Sequence, residues 1–208
     1  MIRPNFSNEK EMFAAGIKVV AGLDEVGRGA WAGPLIAGAV ALTPELLRAG
    51  KRIARLVRDS KTLSERQRER AYEQLTAALP WAVGTASAGE IDAFGVTAAN
   101  QQALTRAAAA LPARADFLLV DGRGFSFPTP YRQVVDGDAR IFSVAAASII
   151  AKVTRDRLMA MLHRRYPGYG FDRHRGYGTP EHQAALGRLG CCPLHRRSYR
   201  PIAALASA

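Results

Sequence analysis

Long apolar runs are missing from this sequence. No stretch approaches the ~18 consecutive apolar residues of a membrane-spanning helix, although 48% of the 208 residues are hydrophobic. The N-terminus, MIRPNFSNEKEMFAAG, lacks the apolar segment of a secretory signal. Cysteine is nearly absent. The only two, Cys191 and Cys192, are adjacent, a poor basis for a disulfide framework, so the chain reads as cytosolic. Adding His182 and His195 to that pair fits no standard zinc spacing. Acids are scarce relative to bases: 18 Asp and Glu against 29 Lys and Arg, a net charge of +11. That excess favours a polyanionic partner, nucleic acid first and an anionic membrane surface second.

What is present is an ordinary globular composition, long enough to bury a sizeable core. IKVVAGLD (17–24), GPLIAGAVAL (33–42), WAVGTASA (81–88), DFLLVDG (116–122) and YRQVVDGDAR (131–140) read as strands, the last running into a turn. Helices are expected over 64–80 and 96–112, both closed by proline, over 143–167, and over 179–190 between Pro180 and Gly190. Strands come first and then alternate with helices, the order of an α/β domain. The amphipathic segment 91–102 places Asp92 and Asn100 at the surface.

Acids recur where apolar strands end. Asp24 and Glu25 close the first strand, Asp121 closes FLLVD, and Asp136 and Asp138 close YRQVV. The carboxyl edge of an open α/β sheet is where sites are built. A single Asp-Gly is equally a turn former; three strand ends in one chain favour a site. Two like charges 4 Å apart cost about 1 kcal/mol in water and several times that in a partly dry site. Divalent cations relieve this cost, and an all-oxygen ligand set suits Mg²⁺ or Mn²⁺. Acidic metal site plus basic surface is the pattern of a nuclease or polymerase. Side chains alternate along a strand, so Asp24 and Glu25 should share one site only if the strand ends or bulges there, with Gly22, Gly27 and Gly29 permitting it.

GRGAWAG is a poor dinucleotide fingerprint, since its spacing is G-x-G-x-x-x-G and a strand-like run follows. A Gly-x-Gly turn that lets the backbone approach a nucleic-acid strand is the better account, beside a plain hairpin turn. From Lys152 to Arg200 there are 11 basic residues and 3 acids, with Tyr166, Tyr169, Tyr177 and Tyr199 among them. That mixture suits phosphate contacts and stacking, or a solvated face over core tyrosines. Arg66, Arg68 and Arg70 read as a solvated helix face.

Taken in order, AGLDEVGRG, DSKTLS, LLVDGR, VVDGD, AAASIIAKVTRD, HRGYGT and HRRSY resemble ribonuclease H type 2, the bacterial ribonuclease HII family, from about Val19 to Pro201. The resemblance implies one domain over 1–208: a ribonuclease H-like mixed sheet flanked by helices, with an N-terminal extension (1–16) and a helical, basic C-terminal part from about 159. It implies an endonuclease that cuts the RNA strand of RNA–DNA hybrids and cuts 5′ of single ribonucleotides in duplex DNA, leaving 3′-OH and 5′-phosphate ends. Its metal-binding catalytic carboxylates fall on Asp24, Glu25, Asp121 and Asp138, with two Mg²⁺ or Mn²⁺ ions. Its 2′-OH-reading turn falls on Gly27, Arg28 and Gly29, and its junction-sensing tyrosine on Tyr177. Phosphate contacts fall on Ser60, Lys61 and Lys152, and also on Ser148 and His174. The chain departs from the family at Asp136, where a lysine is usual, and at Ala30 and Gly178, where proline is frequent. On a strand, Asp136 and Asp138 would share a face, so Asp136 could assist or weaken metal binding. RRSYRPIAALASA holds no recognisable clamp-binding peptide, and a monomer is expected. Two alternatives stand beside this reading. A type 3 ribonuclease H acting on longer RNA tracts would carry an extra N-terminal domain, whereas about 17 residues precede the first strand here. A non-catalytic nucleic-acid-binding module would use the acids only as turn formers.

Overall fold

The computed structural model describes residues 3–206. Helix α1 (Ser7–Ala14) leads into strands β1 (Val20–Val26) and β2 (Leu35–Leu42). Helices α2 (Leu47–Ile53) and α3 (Glu65–Ala78) follow, joined through two short 3₁₀ turns, Ala54–Leu56 and Ser60–Thr62. Then come β3 (Trp81–Ala86), α4 (Ala88–Ala109), β4 (Phe117–Asp121), β5 (Tyr131–Val134), α5 (Gly137–Arg140) and α6 (Phe142–Arg165). Three helices end the chain: α7 (Phe171–His174), α8 (Pro180–Leu189) and α9 (Arg200–Ala206).

The sheet order is β3-β2-β1-β4-β5. β1, β2 and β3 pair antiparallel, while β4 lies parallel to both β1 and β5. β1 and β4 therefore deliver their carboxyl ends to one edge. Helix α4 covers one face of the sheet, over Leu23, Leu35 and Val120. Helix α6 covers the other, with α2 and α3 outside it. Close approach requires glycine: a Cβ on Gly22 would lie 2.2 Å from the Ser143 carbonyl carbon, and one on Gly38 would lie 2.3 Å from the Ala147 oxygen. The first half of α6 is buried all round. No described helix is long and apolar enough to cross a membrane.

The expected strands and four expected helices are all present, and two helices carry the N-terminal signals their sequence suggests. Ser64 and Gln67 form a capping box on α3, and Thr179 caps α8 with Pro180 at its first turn. Helix α4 starts earlier than position 96, at a second capping box of Ser87 and Glu90, and kinks at Gly95 (φ 80°). The segment 131–140 needs correction. Its strand stops at Val134, Asp136 takes a left-handed conformation (φ 55°), and Asp138 sits in the short helix α5.

Residues 7–14 form a helix packed on the core, with Met12 and Glu9 buried. The Glu9 carboxylate accepts a hydrogen bond from the Ser143 backbone N–H (2.8 Å), capping α6 from a distant part of the chain. Burial pushes the Glu9 carboxyl above its usual value, and the Ser143 hydrogen bond opposes this. A carboxyl raised in the folded state loses stability as pH climbs above its unfolded value of 4.5. Glu9→Gln keeps the acceptor without the charge, so its stability relative to wild type should rise between pH 4 and pH 8 in urea unfolding. Glu9→Ala strands the amide and should lose about 1–3 kcal/mol at either pH.

Candidate active site

Asp24 and Glu25 do not end or bulge β1. They pair regularly with Gly38 and Ala37. Alternation instead sends them to opposite faces of the sheet. Asp24 lies on the α6 side with Ser148, and Glu25 lies on the α4 side with Asn100. Both carboxylates reach the same end of the sheet because β1 finishes there, next to Asp121 at the end of β4. A cleft at this edge is lined by Asp24, Glu25, Val26, Ser60, Lys61, Asp121, Ser148, Lys152 and Tyr177. Asp138 reaches it from α5, where Lys61 Nζ pairs with its carboxylate at 3.3 Å. The Gly137 amide donates to Asp121 Oδ1 at 2.7 Å, locking α5 against β4. Asp136 is exposed and does not line the cleft.

The acids repel one another. Burial, then Glu25 and Asp121, raise Asp24 well above the usual carboxylate range, and the Ser148 hydroxyl opposes this. Burial and Asp121 also raise Glu25, and burial raises Asp121. Ser60 and Ser148 hydroxyls hydrogen-bond at 3.0 Å, tying the Lys61 turn to α6.

Asn100 and Asp92, expected at the surface, both turn inward, Asn100 fully and Asp92 in part. Asn100 is fully buried with neither amide atom hydrogen-bonded, and Glu25 Oε2 is likewise buried without a partner. Asp92 accepts the Arg197 and Ser198 backbone amides (both 2.9 Å), binding the C-terminal part to α4. The donor chemistry fits hard divalent cations: oxygens only, mutually repelling, one of them orphaned. Among the described residues no three carboxylates, histidines or cysteines are already closed around one ion position.

Two buried arginines, unforeseen from the sequence, hold the Gly27–Pro34 loop. Arg155 is fully buried and donates to the carbonyls of Pro34 (2.9 Å), Ala32 (3.2 Å) and Arg175 (2.9 Å). Burial holds its pKa down to about 10. A Cβ on Gly27 (φ 88°) would strike this guanidinium. Arg196 donates to the carbonyls of Gly33 (2.9 Å) and Arg28 (2.9 Å), and the Tyr199 hydroxyl donates to the same Arg28 carbonyl. Arg28 and Gly29 stay exposed, and nothing lies within 4 Å of a Cβ added to Gly29. HRRSY entered the sequence reading only as a family motif, and the burial of Arg196 was invisible in a basic stretch.

The turn carrying Tyr177 is braced by histidines. His174, expected to touch phosphate, is buried with Nδ1 accepting the Gly176 amide (3.1 Å) and Nε2 bonded to the Tyr169 carbonyl (2.7 Å). Both ring nitrogens are committed, so it supports the turn from below. His182 Nδ1 meets the Tyr177 carbonyl at 3.0 Å, its Nε2 meets His195 Nε2 at 3.0 Å, and His195 Nδ1 accepts the Cys192 amide at 2.9 Å. A carbonyl only accepts, so the protons are ordered: His182 carries hydrogen on Nδ1 and His195 on Nε2. The pair that sequence weighed against zinc is thus a neutral hydrogen-bonded relay. The departures from family pattern also find causes here. The Ala30 amide donates to the Gly27 carbonyl (3.3 Å), which proline could not do. Any Cβ on Gly178 would fall 2.1 Å from the Trp31 ring.

The fold and this acidic edge define a phosphodiester hydrolase of the ribonuclease H-like class. The chain belongs to the ribonuclease HII family, whose model matches residues 21–202, and it is therefore an endoribonuclease with ribonuclease H activity. It is 49% identical over 186 residues to ribonuclease HII of Thermus thermophilus, covering 89% of this chain and 88% of that one. It is 46% identical over 195 residues to ribonuclease HII of Geobacillus kaustophilus, covering 93% and 73% respectively. The solved ribonuclease H2 of Pyrococcus horikoshii superposes with a TM-score of 0.77 at 26% identity, over 91% of this chain and 97% of that one. A type 3 enzyme solved with Mn²⁺ shares the fold at 17% identity and a TM-score of 0.66, covering 91% of this chain and 70% of that one.

Asp24→Asn removes a carboxylate whose ionisation the fold opposes. The metal-free variant should unfold at higher temperature than wild type at pH 7, with the difference shrinking toward pH 4. His182→Phe keeps the ring volume but orphans the Tyr177 carbonyl, and should lose about 1–3 kcal/mol in urea unfolding. Burial holds His182 down to about 4 against a usual 6.5. Wild type therefore loses this contribution as pH falls from 6.5 toward 4, and the gap between wild type and variant should narrow there.

Proposed function

We propose that the protein hydrolyses the RNA strand of RNA–DNA hybrids and cuts 5′ of single ribonucleotides in duplex DNA, leaving 3′-OH and 5′-phosphate ends. The observation that carries this reading is the meeting of Asp24, Glu25, Asp121 and Asp138 at one sheet edge, with Lys61, Lys152 and Tyr177 lining the same cleft.

Asp24, Glu25, Asp121 and Asp138 would hold two Mg²⁺ or Mn²⁺ ions, which supply Lewis acidity toward the phosphate and an activated water. Lys61, paired with Asp138 and otherwise largely exposed, would offer its ammonium to the phosphate at the cleft. Ser60 and Ser148 hold its turn in place, and Lys152 adds positive charge from α6. The Arg28 carbonyl is held by Arg196 and Tyr199, so the exposed Gly29 and the Arg28 amide would be left to meet the 2′-OH, the group that separates RNA from DNA. Backbone recognition of that hydroxyl requires no base preference. Arg155, Arg196 and Tyr199 fix that backbone, so it meets the ribose without rearranging. Tyr177, held by the histidine relay and stacked over Arg155 (5.4 Å), would pack against the adjoining sugar. The enzyme would act in the cytoplasm as a monomer.

The test is a labelled DNA duplex containing one ribonucleotide, beside an all-DNA duplex, with Mg²⁺, Mn²⁺ or EDTA. One metal-dependent cut 5′ of the ribonucleotide is expected, abolished in Asp24→Asn and in Asp121→Asn. Cleavage restricted to runs of several ribonucleotides would overturn the single-ribonucleotide reading. Binding without metal-dependent cleavage would support the module in which the acids only form turns.

A further inference from the structure

We propose that the cleft between the Ala54–Leu56 turn, with the segment that follows it, and α3 is a second phosphate site, which grips the backbone of the substrate duplex a few nucleotides away from the cut. The proposal rests on the nuclease reading for the identity of its ligand. The cleft, of about 250 Å³, is lined by Arg55, Arg58 and Arg70, with Gln67 beside them and Leu56 and Leu63 as apolar walls.

The local charge is concentrated. Between residues 48 and 70 there are nine basic residues and three acids. All three acids are occupied elsewhere. Asp59 caps the Ser60–Thr62 turn by accepting the Lys61 amide. Glu65 pairs with Arg175 at 3.3 Å, and Glu69 pairs with Arg157 at 2.5 Å. Both glutamates lean from α3 toward the α6 side, which leaves the arginines of the opposite side uncompensated. Among the described residues, Arg55, Arg58 and Arg70 make neither an ion pair nor a side-chain hydrogen bond. Three guanidinium groups around one concavity repel each other and present forks suited to phosphate oxygens. Arg68, from the same run, does something different: it donates to the carbonyls of Ser60 (2.9 Å) and Leu63 (2.5 Å), bracing the wall of the cleft.

Position links the cleft to the active site. Arg58 and Lys61 are three residues apart, so their Cα atoms lie within about 11 Å. Lys61 lines the acidic cleft, and the turn between them is tied to α3 by Arg68 and to α6 by Ser60. Phosphates follow one another along each strand of a duplex, so a span this short keeps the arginine cleft within reach of the same strand that Lys61 would contact. The two clefts flank one braced turn, so a backbone seated on Lys61 continues naturally onto Arg58.

The experiment compares wild type with Arg55→Gln/Arg58→Gln/Arg70→Gln, in which every change is to an arginine outside the acidic cleft. Affinity for an uncleaved ribonucleotide-containing duplex is measured in EDTA across salt concentrations. KM and kcat are then measured with metal, on a full duplex and on one truncated on each side in turn. The expected result is a log Kd against log salt slope shallower by about 2–3. KM should rise about tenfold on the full duplex with kcat unchanged, and the rise should vanish when one particular flank is removed. An unchanged slope and KM would overturn the proposal and make these arginines a solvated surface. An equal loss of kcat on full and truncated duplexes would also overturn it, by showing that the changes act through the Lys61 turn. Wild-type cleavage reports on the nuclease reading separately, and the EDTA slope does not depend on it.

Discussion

The site depends on how closely α6 lies against β1 and β2. Gly22 and Gly38 remove the two side chains that would hold the helix off the sheet. Small residues on the helix, Ala147 and Ala151, meet Gly38 directly. Ser148, Lys152 and Arg155 are carried on the same rigid helix. The approach therefore places a hydroxyl beside Asp24, an ammonium at the cleft and a guanidinium under Gly27. Glu9 secures the start of that helix by supplying the cap its own neighbouring residue does not. An error in helix position would move three functional groups together.

Charge is stored in the interior with opposite signs on two sides of one loop. On one side, three carboxylates are raised by burial and by one another. On the other, Arg155 and Arg196 are buried with backbone carbonyls as their hydrogen-bond acceptors, plus the Tyr199 hydroxyl. Buried charges of this kind are seldom the most stable choice for a fold. Here they do different work. The acids gather mutually repelling oxygens at one sheet edge, and the arginines fix the Gly27–Pro34 loop through its carbonyls. The histidine relay adds a third rigid element, built from neutral groups, behind Tyr177.

Much of this was legible in sequence. Asp24, Glu25 and Asp121 stand at the ends of strong apolar runs, and capping residues marked α3 and α8. Asp138 was identified by motif position, while its placement on a strand was wrong: the left-handed Asp136 breaks β5 and turns the chain into α5. The supposed conflict between Asp24 and Glu25 dissolved because the site wraps around the edge of the sheet and receives one side chain from each face. Arg155 and Arg196 went unremarked, and His174 and Asn100 were placed outward, for a shared reason. Polar residues are normally outside, and only the surrounding carbonyls and amides can show which ones are held within.

Local chemistry in the sequence determined the strands, the capped helices, the acidic strand ends and the excess of positive charge, since each arises from neighbours along the chain. Tertiary structure decided which side chains share a space. It brought Glu9 to Ser143, Asp92 to Ser198, and Arg196 to Arg28, pairs separated by more than a hundred residues. Such pairings depend on sheet order and helix approach, which arise from packing of the whole chain, and no local pattern encodes them.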